Sequence, residues 1–143
     1  MQREKQIIAA ARAYLGVPFA HQGRCRAGMD CLGLLVCVAR DCNLHFAGKP
    51  LCRRDEGGYG HYPDTDYLQA QLEAVLQPMD EVQAGCVLLL EQDGRAQHLA
   101  IAGAADDGSL TMIHAYAPTR SVVEHRLDAH WRKCIKACYA FRG

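Results

Sequence analysis

The sequence predicts an α+β fold in which N-terminal helices pack on an antiparallel sheet of about five to six strands. Two observations predict it. Apolar residues recur at helical spacing through the first third of the chain, and from residue 86 onward the period changes to two. Helices followed by a run of strands joined at short turn signals give an α+β fold with an antiparallel sheet.

Arg3 to Leu15 reads as an amphipathic helix, with Ile7, Ile8, Ala11, Tyr14 and Leu15 on one face and Gly16 and Pro18 after its end. Asp30 to about Cys42 reads as a second helix. Its segment Cys31-Leu32-Gly33-Leu34-Leu35-Val36-Cys37-Val38-Ala39 is apolar on every face, which predicts a central, buried helix. A long irregular stretch from Asn43 to about Asp64 exceeds the length of a plain connector. A third helix is predicted over Asp66 to Leu76, ended by Pro78. Strands are predicted at Cys86–Glu91, His98–Ala102, Leu110–Ala115, Ser121–Leu127 and Cys134–Phe141. Turn signals separate them: Gln92-Asp93-Gly94, Asp106-Asp107-Gly108 and Ala117-Pro118-Thr119.

The 143 residues suit a single domain spanning 1–143. Sixteen basic and sixteen acidic residues balance to a formal charge of zero, which gives no support to a nucleic-acid or membrane-surface binder. No apolar run approaches the roughly 20 residues needed to span a bilayer. The polar start Met1-Gln2-Arg3-Glu4-Lys5-Gln6 lacks the apolar core of a secretory signal, so synthesis in the cytoplasm without export is expected. The eight cysteines include no Cys-x-x-Cys pair. Neither a structural zinc nor a disulfide framework is expected, and no cofactor is implied.

Cys31 carries the chemistry. It stands at the first turn of the buried helix, where unpaired N–H groups and the helix dipole favour thiolate over thiol. Asp30 can cap that helix, and Gly33 keeps the surface beside the thiol open. Alternation places His98 with Ala100 and Ala102 on one strand face, and His114 sits on the next strand. Antiparallel neighbours about 4.8 Å apart bring two such side chains within reach of each other. A thiol at a helix start, an imidazole and a second ring to hold it form a nucleophile, base and orienter set. The expected meeting point is a cleft between the central helix and the sheet. His21 precedes Cys31 and can line that cleft, whereas His45, His61, His125 and His130 read as ordinary surface or core histidines.

At these residues the chain resembles the NlpC/P60 cysteine peptidases, and in particular their phage-type branch. The matching segments are Tyr14-Leu15-Gly16-Val17-Pro18-Phe19, His21-Gln22-Gly23-Arg24 and Gly28-Met29-Asp30-Cys31-Leu32-Gly33-Leu34. They continue with Gln97-His98-Leu99-Ala100-Ile101 and Met112-Ile113-His114-Ala115-Tyr116. The resemblance implies a papain-like fold and hydrolysis of peptidoglycan stem peptides, typically between γ-D-glutamate and diaminopimelate. It implies Cys31, His98 and His114 as the catalytic set, with Asp30 receiving the substrate's amino end and Phe19 and His21 at the binding cleft. It also implies phage tail proteins as partners and a place on the virion tail, acting on the periplasmic cell wall. Two departures stand out. Phe19 occupies a position where the family often has a tyrosine whose hydroxyl helps at the active site, and Gly85-Cys86 replaces a Gly-Asp pair. The other readings are a thiol amidase or acyltransferase of the same fold and a tail-assembly component with a vestigial site.

Overall fold

The computed structural model describes residues 2–20, 23–44, 69–70, 72–74, 76–92 and 95–141. Helix α1 (Gln2–Arg12) leads into a two-stranded hairpin of β1 (Arg24–Cys25) and β2 (Gly28–Met29), then helix α2 (Cys31–Asp41). The strands β3 (Gln77–Met79), β4 (Val87–Gln92), β5 (Arg95–Ala104), β6 (Leu110–Tyr116) and β7 (Ser121–Arg126) follow. A short helix α3 (Ala129–Cys134) and strand β8 (Ile135–Ala140) complete the order. The architecture is α+β, with a six-stranded antiparallel sheet ordered β3-β8-β4-β5-β6-β7.

The sheet has two covered faces because its strands alternate. Leu99, Ile101, Ile113, Ala115 and Val122 join Ile7, Ala11, Leu34, Leu35 and Val38 in the main core, where α1 and α2 pack. Leu88, Leu90, Ala100, Ala102 and Met112 face the other way and pack with Leu127 and Trp131. Residues 33–39 of α2 are buried without exception, as an all-apolar helix requires.

Several boundaries differ from those read in the sequence. Helix α1 stops at Arg12, and the amides of Tyr14 and Leu15 reach only three residues back, to Ala11 and Arg12. This tighter turn buries Tyr14 but turns Leu15 outward, 43% exposed. Gly16 then takes φ 86°, a value that favours glycine. Pro78 lies within β3 and pairs with Tyr139, at the sheet edge where proline is tolerated. The helical residues 69–70 and 72–74 fall within the predicted third helix, whose remaining residues up to 75 lie outside the described ones, as does the irregular stretch beyond Leu44. Cys134 belongs to α3 instead of the last strand.

The edge beside β7 is bordered by residues 16–18. The Gly16 amide donates to the Val122 carbonyl, the Val122 amide donates to the Val17 carbonyl, and Pro18 bridges Ser121.

Candidate active site

Cys31 is the first residue of α2, and Asp30 is its N-cap. The cap residue is extended (φ −106°, ψ −170°), and its Oδ1 accepts the Gly33 amide at 2.8 Å. Asp30 is only 3% exposed, so this carboxylate is held firmly against the helix start. Cys31 is half-buried at the margin of the main core, against which Phe19 and Leu32 also pack. The hairpin before it needs small residues. A Cβ on Gly28 would lie 2.6 Å from the Ala20 Cβ, so glycine there lets residues 18–20 lie against β2.

The histidines form a chain. His98 Nε2 lies 2.6 Å from His114 Nδ1, and His114 Nε2 lies 2.8 Å from His125 Nε2. His125 Nδ1 in turn lies 3.0 Å from the Arg126 carbonyl oxygen. The strands explain the proximity: Leu90 pairs with His98, Ala102 with Met112 and Met112 with His125, which sets all of these side chains on one face. Aromatic rings enclose the chain. Tyr116 is 4.9 Å from the His114 ring and 5.8 Å from the His98 ring, and Trp131 is 5.3 Å from His114. Trp131 is brought there by α3, whose cap Asp128 accepts the Trp131 amide at 3.0 Å.

Burial fixes the charge state of the central rings. His98 is pushed down to about 4 by burial alone. His114, with no exposed surface, is pushed down to about 2 by burial and then by the neighbouring His98 and His125. Both are neutral imidazoles near pH 7.

The rings of His98 and His114 therefore sit on the sheet face that carries Ala100, Ala102 and Met112, toward Trp131. The sequence reading likewise sets His98 with Ala100 and Ala102 and turns Leu99 and Ile101 the other way, toward the main core. A backbone route links the start of α2 to this cluster. The Met29 amide donates to the Pro18 carbonyl and the Phe19 amide donates to the Arg120 carbonyl. Pro18 bridges Ser121, and Ser121 pairs with Tyr116, which contacts both His98 and His114.

No family model matches the chain, and no curated protein matches it. Solved structures do. The NlpC/p60 domain of the peptidoglycan hydrolase SagA superposes with a TM-score of 0.59 at 21% identity, covering 96% of this chain and 98% of that one. An NLP/P60-family protein similar to lipoprotein, from Staphylococcus aureus Mu50, gives 0.65 at 19% identity over 99% of this chain and 42% of its own. The fold is that of the NlpC/P60 domains. An N-acetylmuramoyl-L-alanine amidase from Bacteroides uniformis gives 0.66 at 13% identity, with 100% of both chains covered.

Within this NlpC/P60 fold the residues named from the sequence divide clearly. His98 and His114 are in direct contact, and Cys31 and Asp30 stand together at the start of α2. Phe19 is half-buried against the main core and bridges Met29. His21 lies outside the described residues, as do His45 and His61. Gly33 is buried, and its amide serves the Asp30 cap. Cys86 is buried in the second cluster with its thiol pushed up to about 12 by burial, an inert group. Among the described residues no three His, Cys, Asp or Glu side chains are grouped to hold a metal ion. Sequence reasoning missed His125, Tyr116 and Trp131. For His125 the signal was its place on a strand of alternating pattern two strands from His98.

Proposed function

We propose that the protein is a cysteine hydrolase of the bacterial cell wall, with Cys31 as nucleophile, His98 as its general base and His114 as the residue that orients His98. The observation that carries this reading is the buried His98–His114 pair at 2.6 Å. It is linked by hydrogen-bonded backbone to a helix that begins with a cysteine. A buried pair of neutral imidazoles is costly to build without a use for it.

In this reading His98 takes the thiol proton as the Cys31 sulfur attacks the substrate carbonyl. The developing oxyanion is met by N–H groups at the start of α2. His98 then returns the proton to the leaving amine as the C–N bond breaks, giving a thioester. Water attacks the thioester, with His98 accepting its proton, and the thiol is restored. His114 holds the ring and stabilises its charged form. Asp30, beside the nucleophile, receives the amino end of the substrate, and Phe19 borders its path.

The substrate proposed is the peptidoglycan stem peptide, cut between γ-D-glutamate and diaminopimelate. The resemblance of the Cys31, His98 and His114 segments to phage-type members supports delivery on a phage tail. The amidase from Bacteroides uniformis, alike over its full length, supports a second reading in which the cut falls at the muramoyl end of the stem peptide. Digestion of purified peptidoglycan, with the released fragments weighed by mass spectrometry, separates the two. Endopeptidase action releases peptides that begin with diaminopimelate and leaves peptides ending in γ-D-glutamate on the glycan, whereas amidase action releases intact stem peptides. Undiminished release by Cys31→Ala overturns the nucleophile assignment under either reading.

A further inference from the structure

From the bonding pattern of the three rings we infer that His125 is a positioning residue: by accepting a hydrogen bond from His114 it fixes the tautomers of the whole histidine chain. The Arg126 carbonyl on which His125 rests sets the direction. The inference rests on the reading of His98 as the base for Cys31, and it adds a residue that acts two rings away from the thiol.

The argument runs outward from one oxygen. A carbonyl oxygen accepts and cannot donate, so His125 Nδ1, at 3.0 Å from it, carries the proton. A neutral His125 then has its lone pair on Nε2. His114 Nε2, at 2.8 Å, must be the N–H that donates to it. The proton of neutral His114 is thereby used, and its Nδ1 is an acceptor. His98 Nε2, at 2.6 Å, must donate to that acceptor. What remains is the His98 Nδ1 lone pair, the form of the ring able to take a proton from a thiol. The tautomers follow from bonding partners and not from observed hydrogens.

The reversed chain is the alternative. It would protonate His98 and His114 at Nδ1 and His125 at Nε2, and would turn a His125 lone pair toward the Arg126 oxygen. One hydrogen bond is lost and two acceptors face each other. It would also leave His98 with an N–H where a base is required. His98 burial and the enclosing Tyr116 and Trp131 rings hold the chain in place. The strand that carries His125 is itself tied down. The Arg12 guanidinium grips Glu124 with Nε to Oε1 at 2.9 Å and Nη2 to Oε2 at 2.8 Å, and the Thr111 hydroxyl donates to Glu124 Oε2 at 2.6 Å.

Long-range 1H–15N correlation spectra of the native protein at pH 7 read imidazole tautomers directly and need no substrate. The result expected is Nδ1–H for His125 and Nε2–H for both His114 and His98. Nδ1–H at His114, or Nε2–H at His125, overturns the inference whether or not the protein hydrolyses cell wall. A second arm measures the rate at which iodoacetamide alkylates Cys31 near pH 7. His125→Leu, which offers no acceptor, is expected to slow it by about tenfold or more, while His125→Gln, whose amide oxygen accepts, stays within a few-fold of native. A native rate in a folded His125→Leu variant also overturns it. If the Leu variant does not fold, the spectra of the native chain still decide. Failure of Cys31→Ala to stop hydrolysis would instead reject the catalytic reading while leaving the tautomers as measured.

Discussion

Asp30 Oδ1 accepts the Gly33 amide at 2.8 Å, so the carboxylate next to Cys31 is also the cap of its helix. The two roles separate by substitution. Asp30→Asn keeps a capping oxygen and removes the charge, whereas Asp30→Ala removes both. Urea unfolding is expected to show about 1 kcal/mol lost in the Ala variant and little in the Asn variant. On a stem-peptide substrate both should raise KM, because each lacks the charge for the substrate's amine. An unchanged KM in Asp30→Asn would confine Asp30 to capping.

Cys31→Ala and His98→Ala are each expected to abolish hydrolysis with the fold intact. The two residues act in the same acyl-transfer steps, so the double variant should be little worse than either single one. Circular dichroism and turnover on purified peptidoglycan check this together.

His114→Asn is expected to retain more activity than His114→Ala. The native ring is bonded at both nitrogens, to His98 and to His125, and an amide offers one acceptor and one donor group. Alanine leaves a cavity and unpaired rings in a site with no exposed surface, at a cost of about 2–3 kcal/mol in stability. The measurements are kcat/KM and urea midpoints for both variants. Equal losses of activity would reduce His114 to packing.

Acid should destabilise the protein through the same rings. His98 has its folded value lowered to about 4, below an ordinary value of 6.5. Above 6.5 the folded and unfolded chains both hold it neutral, and its contribution to stability is fully present. As pH falls from 6.5 to about 4 the unfolded chain takes up a proton that the folded one refuses, so stability is lost across that window. A shift of this size corresponds to roughly 3 kcal/mol. Unfolding free energies at pH 7 and pH 5 should differ in the native protein, and His98→Asn should lessen the difference while His114 sustains the rest. The acid limb of kcat/KM is expected to fall near His98's folded value, well below that of an exposed histidine. A limb at 6.5 would argue against His98 as the base.

Phe19→Tyr is expected to change the rate little or raise it modestly. Phe19 packs against the main core, bridges Met29 and lends no hydrogen-bonding group of its own side chain. One added oxyanion donor of the kind worth about 3–4 kcal/mol elsewhere would be plain in kcat. A large gain would mark the native site as weakened and favour the vestigial reading.

The parts of this molecule legible in the sequence are those whose signal is local. Residues 33–39 are apolar all round and form the buried helix. Val87–Gln92 and Leu110–Tyr116 lie within a residue of their predicted ends because alternation governs each strand. His98 and His114 were legible because neighbouring hairpin strands must pair. His125 was not, because its contact depends on the β6–β7 register, which sets it beside Met112, diagonal to His114. Flanked by Glu124 and Arg126, it reads as a solvated position. Helix α3 has six residues, too few for a periodic pattern, and only Asp128 before Trp131 hints at its cap. Alternation sets His98 on the face of Ala100 and Ala102, but that Trp131 covers this face depends on α3, which the sequence pattern does not reveal.

The borders of the sheet bear on how this chain behaves when crowded. An unfinished β-edge is a template on which another chain can add a strand. Here one border is β3, three residues long with a proline at its centre, which has no amide to offer. At the other, residues 16–18 already occupy the start of β7, and the strand beyond carries the charged Glu124 and Arg126. A sequence that is 50% hydrophobic, with a run such as Val87-Leu88-Leu89-Leu90, holds its most adhesive strand in the interior of the sheet, between β5 and β8. Resistance to fibrillar aggregation should therefore depend on the short stretch around Pro18 and Pro78 more than on the core itself.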